Sequence, residues 1–111
     1  MATKQSTVDY LIDQLSGAGT VRSRKMFGEY ALYCDDTVVA LVCDDQLFVK
    51  PTEAGREWIG DVTEAPPYPQ AKPHYLIEEE RWEDREWLSS LIEKTAAALL
   101  VSTKKKRQGR R

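Results

Sequence analysis

The chain has little of what catalysis usually needs. One histidine, His74, serves all 111 residues, so any nucleophile–base pair has to use it. Cys34–His74 and Cys43–His74 are the two pairs the residues allow. No GxxxxGK[ST] and no GxGxxG occurs, which leaves nucleotide binding without a phosphate-cradling loop. Cysteine and histidine never cluster at the short spacings that hold zinc. No apolar run approaches the roughly 20 residues that span a bilayer. The first ten residues, MATKQSTVDY, lack an apolar stretch, so the reading is of a chain without a secretory leader. These scarcities together predict a non-catalytic cytoplasmic protein with no cofactor, no metal and no membrane partner.

Cysteine is scarce too, and a disulfide is not expected. Cys34 falls beside an Asp35-Asp36 turn and Cys43 at the far end of the next run. About six residues of strand put them about 20 Å apart, well beyond the roughly 7 Å a disulfide spans. Two free buried thiols suit a reducing compartment.

What is present is a run of short apolar segments between Val21 and Lys50, cut at Phe27-Gly28, Asp35-Asp36 and Asp44-Asp45. Short runs rich in Val, Tyr, Phe and Leu between turn residues predict consecutive antiparallel strands. Residues 37–43, TVVALVC, are apolar at odd and even positions alike. They are therefore expected at the centre of the sheet, covered on both faces. Val21–Met26 is the polar exception: Arg22 and Arg24 share one face, Ser23 and Lys25 the other. That pattern predicts an edge strand, where charge blocks unwanted pairing. It also reads as a basic strip facing an acidic partner. Tyr30, Leu32 and Cys34 share one face of the next strand, with Ala31 and Tyr33 on the other. Met26 and Phe27 are expected to plug the sheet edge against the first helix. The alternative lines up Arg22, Arg24 and Lys25 as an interaction surface beside an exposed Tyr30 or Tyr33. Both Asp-Asp pairs read as solvated turns, since they sit at opposite ends of one strand, too far apart to share a cation.

Helices flank this meander. Ser6 as N-cap and Asp9 three residues on predict a helix over about 7–16, with Val8, Leu11, Ile12 and Leu15 on one stripe. Thr52 caps a short helix through Ile59, with Trp58 and Ile59 as its buried anchors and Gly60 as its end. The segment 61–73, holding Pro66, Pro67, Pro69 and Pro73, reads as a stiff loop. A fifth strand follows over 74–79. A long helix over 84–101 then carries Trp87, Leu88, Leu91, Ile92, Ala96, Leu99 and Leu100 as its stripe. Grouped strands with helices set apart predict an α+β fold. It would be a single domain over 1–101: an antiparallel sheet of about five strands with N-terminal, short middle and long C-terminal helices.

Charge is divided. Lys104, Lys105, Lys106, Arg107, Arg110 and Arg111 give a tail without acids, expected to be disordered. The rest of the chain holds all 18 acidic side chains. An acidic body is not the footprint of a folded DNA-reading surface. The tail could still neutralise phosphates weakly and without regard to sequence.

The central stretch also carries a resemblance. Arg24-Lys25-Met26-Phe27-Gly28, then Tyr30, Leu32 and Tyr33, then Ala40-Leu41-Val42 and Asp45-Gln46-Leu47-Phe48-Val49-Lys50 resembles the N-terminal domain of TfoX/Sxy competence regulators, in a stand-alone short form. Glu29 stands where many members carry a second glycine. The resemblance implies a secretion-chaperone-like sandwich of helices on an antiparallel sheet. It implies a protein partner within the transcription machinery, because full-length members resemble coactivators working with the cyclic-AMP receptor protein. Those members add a C-terminal helical domain, for which this chain is expected to have no room. The resemblance carries over no catalytic residue, and a homo-oligomer stays open.

Overall fold

Two Asp-Asp hairpins set the register of the sheet. Asp35, Asp36, Asp44 and Asp45 all have positive φ, at 50°, 71°, 53° and 59°. Two consecutive left-handed residues form the type I′ turn, whose twist matches the strands it joins. Aspartate tolerates that region better than most side chains. The first turn joins β2 (Glu29–Cys34) to β3 (Thr37–Cys43), and the second joins β3 to β4 (Gln46–Val49). The computed structural model describes residues 3–26 and 29–108, the side chains of 101–108 excepted.

β1 (Val21–Met26) pairs with β2, with Met26 opposite Glu29. The expected Phe27-Gly28 turn and the plugging role given to Phe27 lie outside the described residues. After α2 (Glu53–Ile59), the proline-bearing segment adds a two-residue strand, β5 (Glu64–Ala65). β6 (His74–Ile77) then inserts between β4 and β5. The order is β1-β2-β3-β4-β6-β5, with every pair antiparallel, so there are six strands where about five were expected. β3 is central and β1 is an edge, as the residue pattern predicts.

The two faces of the sheet are covered differently. α1 (Gln5–Gln14) with its C-cap Leu15, α2 and α4 (Arg85–Gln108) bury Val8, Leu11, Leu15, Ile59, Leu88, Leu91 and Ile92 in one core with Tyr30, Leu32, Val42, Leu47, Val49, Tyr75 and Ile77 of the strands. A bulge at Val39, where Leu32 pairs with Ala40 and Tyr33 with Val38, brings both Val39 and Ala40 into that core. On the opposite face Ala31, Leu41, Phe48 and Leu76 form one cross-strand row. None of the four belongs to the helix-side core. Leu41 and Val38 are only half-buried, so the expected two-sided cover of β3 is incomplete.

Helix ends depart from the local expectation. α1 begins at Gln5 rather than Thr7, and its N-cap is Lys4 without a side-chain bond. Ser6 lies inside the helix, and Asp9 accepts from Gln5 Nε2 at 2.9 Å. The cap comes instead from the second Asp-Asp turn: Asp45 Oδ1 accepts from Lys4 N at 2.9 Å and from Thr7 Oγ1 at 3.0 Å. That turn is therefore a tie, not merely a solvated bend. At α2, Thr52 caps as predicted, accepting from Gly55 N at 3.0 Å. Gly55 lets α2 lie close to α4, since a Cβ there would come within 2.9 Å of Thr52 Oγ1 and 3.4 Å of Thr95 Oγ1.

Tryptophan burial is a further correction. Trp58 is 38% exposed; its indole N–H donates to Trp87 O at 3.1 Å, and Ile59 alone enters the core. Trp82, on the short α3 (Glu79–Trp82), is buried instead. Its indole N–H donates to Ile77 O at 3.0 Å, and its own carbonyl accepts from Gln14 Nε2 at 2.8 Å. Asp84 caps α4 by accepting from Trp87 N at 3.1 Å. Leu100, placed on the buried stripe by periodicity, is 49% exposed. The α4 backbone runs to Gln108. Arg110 and Arg111 lie outside the described residues, as do the side chains of Lys104, Lys105, Lys106 and Arg107.

Candidate functional site

Alternation along β1 and β2 sorts the basic and aromatic residues of the strip. Arg22 is paired across with Tyr33 and Arg24 with Ala31, on the face away from the helices. Lys25 pairs with Tyr30 on the helix side. Tyr30 is buried, and its hydroxyl donates to Gln5 Oε1 at 2.8 Å. It is a core residue, so an exposed Tyr30 is ruled out, while Tyr33 is half-buried on the outer face. Arg22 lies over the Tyr33 ring at 4.8 Å and donates to Asp36 Oδ1 at 2.8 Å. The five residues of the expected interaction surface thus divide. Arg22, Arg24 and Tyr33 stay together on one face, Lys25 stands at the edge of the other, and Tyr30 is inside.

Met26 does not plug the edge against α1. It is 41% exposed and points the same way as Arg22 and Arg24. With Glu29, Tyr30, Leu41, Cys43 and Tyr68 it lines a groove of about 450 Å³. Tyr68 is 56% exposed and comes from the proline-bearing segment, whose Pro67 is buried. Among the described residues that segment, and no helix of the core, lies over this side of the sheet. Sequence reading missed Leu41 and Tyr68 as surface-forming residues. The available signal was the second apolar row of β3 and β4, which no amphipathic helix was left to cover. A broader cleft of about 660 Å³ beside Trp58 and Trp87 is lined by Asp84, Glu86 and Glu93.

Glu29 anchors one wall of the groove. Its Oε1 accepts from Thr3 Oγ1 at 2.5 Å and from Asp44 N at 3.1 Å, while Thr3 Oγ1 accepts from Asp45 N at 3.2 Å. The Lys4 backbone N–H, foremost, and the Thr7 hydroxyl hold the Asp45 carboxyl below the usual aspartate range, against a smaller opposing push from burial.

The thiols and the histidine are not brought together. Cys34 and Cys43 are free and buried. Burial, then the Glu29 and Asp44 carboxylates, push the Cys43 thiol up to about 11. Burial, then Asp35 and Glu93, raise Cys34 as well. His74 Nδ1–H donates to Lys72 O at 2.9 Å. It adjoins Tyr75, whose partner is Val49, whereas Cys43 faces Gln46 at the other end of β4. Two strands across and about four residues along separate Cys43 from His74 by roughly 16 Å. Cys34 is three strands from His74, roughly 14 Å or more.

Residues 13–99 match the family model described as the TfoX N-terminal domain. An uncharacterized 12.7 kDa protein in the trpE 5′ region of Spirochaeta aurantia is 41% identical over 99 residues, which is 89% of this chain and 85% of that one. Protein Sxy of Escherichia coli strain K12 is 37% identical over 46 residues, covering 41% of this chain and 22% of Sxy. The match to Sxy therefore spans about a fifth of that protein's length. No described helix is long and apolar enough to cross a membrane.

Proposed function

The chain belongs to the TfoX N-terminal domain family, and from that premise we propose that it is a competence-regulator-like, non-catalytic domain that holds a protein partner in the cytoplasm. The observation that carries this reading is the apolar groove of Met26, Leu41, Cys43 and Tyr68 on the face no helix covers. Exposed aromatic and thioether side chains around a preformed recess are the usual anchors of a protein interface. The raised thiols and the distance to His74 favour binding over nucleophilic chemistry. By this reading the partner belongs to the transcription machinery, and the domain needs no cofactor.

Capture from the native cytoplasm with the wild-type chain, Tyr68→Ala and Met26→Asp tests the reading. A partner held by the wild type should be lost with both variants while their melting temperatures stay close to wild type. A partner set unchanged by both would overturn it, as would a turnover that disappears in a stable Cys43→Ser chain.

A second reading concerns the tail. Six basic residues without an acid follow Ser102, and they would hold nucleic acid through counterion release. Retention on DNA at low salt that vanishes without residues 102–111 would support it. Equal retention by the truncated chain would refute it.

A further inference from the structure

The β1 edge has a determinate hydrogen-bonding register. Asp35 N donates to Thr20 O at 2.9 Å, which fixes Thr20/Asp35 as a hydrogen-bonded pair. In an antiparallel ladder such pairs alternate with pairs whose backbone groups point away. Arg22/Tyr33, Arg24/Ala31 and Met26/Glu29 are then bonded inward. Val21, Ser23 and Lys25 turn their N–H and C=O groups outward, along the free edge of the sheet. No backbone bond from these outward groups to another element occurs among the described residues.

The side chains on that edge select what can pair with it. A second copy added antiparallel about Ser23 would set Arg22 against Arg24 twice, and directly opposed like charges destabilise a ladder. A strand with carboxylates at alternate positions would instead place them opposite Arg22 and Arg24, on the same face as the groove. Its intervening side chains would fall on the helix side. There Val21 is half-buried and packs on the core, and Ser23 is half-buried too, so that row favours apolar residues. Arg24 and Lys25 form no ion pair among the described residues.

We propose that β1 takes a further strand: an extended peptide segment of a partner protein with alternating acidic and apolar residues, bonded to the backbone of Val21, Ser23 and Lys25. This rests on the interaction reading above and gives the partner a chemistry. The cations that keep copies of this chain apart are the ones that admit an acidic strand. Nucleic acid could meet Arg24 and Lys25 by charge, but it has no amide ladder to satisfy the outward groups.

The test uses the whole chain and an acetylated, amidated Asp-Val-Asp-Val-Asp-Val peptide, with a Lys-Val peptide and an oligothymidylate as controls. Amide hydrogen exchange is read residue by residue. The acidic peptide should slow exchange at Val21, Ser23 and Lys25 at least tenfold and leave Arg22 and Arg24 little changed. Ser23→Pro removes an outward N–H without touching the β1–β2 ladder, and it should abolish the effect. Arg24→Glu should weaken binding of the acidic peptide by about tenfold and bring in the Lys-Val peptide.

Absence of protection at these three amides overturns the proposal. So does binding that survives Ser23→Pro, or an oligothymidylate that protects the same amides. The groove reading fails separately. A native partner lost with Tyr68→Ala but kept by Ser23→Pro leaves the groove and removes the edge. The opposite pattern leaves the edge and removes the groove.

Discussion

The two faces of this sheet are built from the same apolar alphabet and end in different states. On the helix side Leu32, Val42, Leu47 and Val49 are fully buried beneath Val8, Leu11, Leu88, Leu91 and Ile92. On the other side Ala31 and Phe48 are buried, yet their row-mates Leu41 and Leu76 stay half-open beneath a proline-bearing segment. The difference lies in the cover. A helix brings an apolar stripe and satisfies its own backbone. An extended segment with Pro66, Pro67 and Pro69 contributes few interior side chains and, at β5, a ladder of only two residues. One face is therefore committed to stability, and the other keeps part of its apolar surface open.

Truncation on each face should separate them most strongly. Leu91→Ala should cost about 3 kcal/mol in a denaturant titration, as large-to-small changes in a closed core do. Leu41→Ala should cost about 1 kcal/mol, because the half-open side chain leaves less apolar area to lose. Equal costs would mean that the second face is as tightly packed as the first.

The two thiols report the same contrast kinetically. Cys34 lies on the helix side, where its Sγ donates to Ala18 O at 3.4 Å, and Cys43 faces the groove. Native-state labelling with a disulfide reagent should reach Cys43 about tenfold faster, since a loop opens more readily than a packed helix. Both rates should climb through pH 8–10, Cys43 titrating toward about 11. Preferential labelling of Cys34 would show that the helix side opens before the face over Cys43.

Smaller effects sharpen the turns that hold the faces in register. Asp44 pays for a left-handed conformation that glycine adopts freely, and its side chain makes no hydrogen bond among the described residues. Asp44→Gly should stabilise the protein by about 0.5 kcal/mol, the relief of left-handed strain less the added chain entropy. A loss of stability would show that the Asp44 carboxylate does more than occupy the turn. Asp45 is the subtlest case. Its carboxyl is held low in the folded chain, so its stabilising effect is complete above the ordinary aspartate value near about 4. That effect is lost as pH falls from there through the lowered value. The exchange protection of the Lys4 amide should fall over that window, and Asp45→Asn should remove the dependence.

Local chemistry made much of this legible. The Asp-Asp pairs mark hairpins because two successive positive φ values suit few residues, and the period-2 alternation of Tyr30-Ala31-Leu32-Tyr33-Cys34 assigned faces that the pairing reproduces. The same is true of Tyr75 and Ile77 against Leu76. The candidate site was only partly readable. Arg22 and Arg24 share the outer face as expected, but alternation could not say that the helices take the side holding Tyr30. Nor could the polar edge pattern reveal that Met26 faces a groove made with Tyr68, which is 42 residues further along.

By itself the sequence determined five of the six strands, the two Asp-Asp turns, the basic edge and which residues alternate together, since each depends on backbone preferences within a few neighbours. Only the tertiary structure decided which face the helices cover and that Asp45 caps a helix 38 residues earlier. It also decided that Trp82 goes in while Trp58 stays out. Burial and capping across such distances depend on where remote segments come to rest, and no local periodicity carries that information.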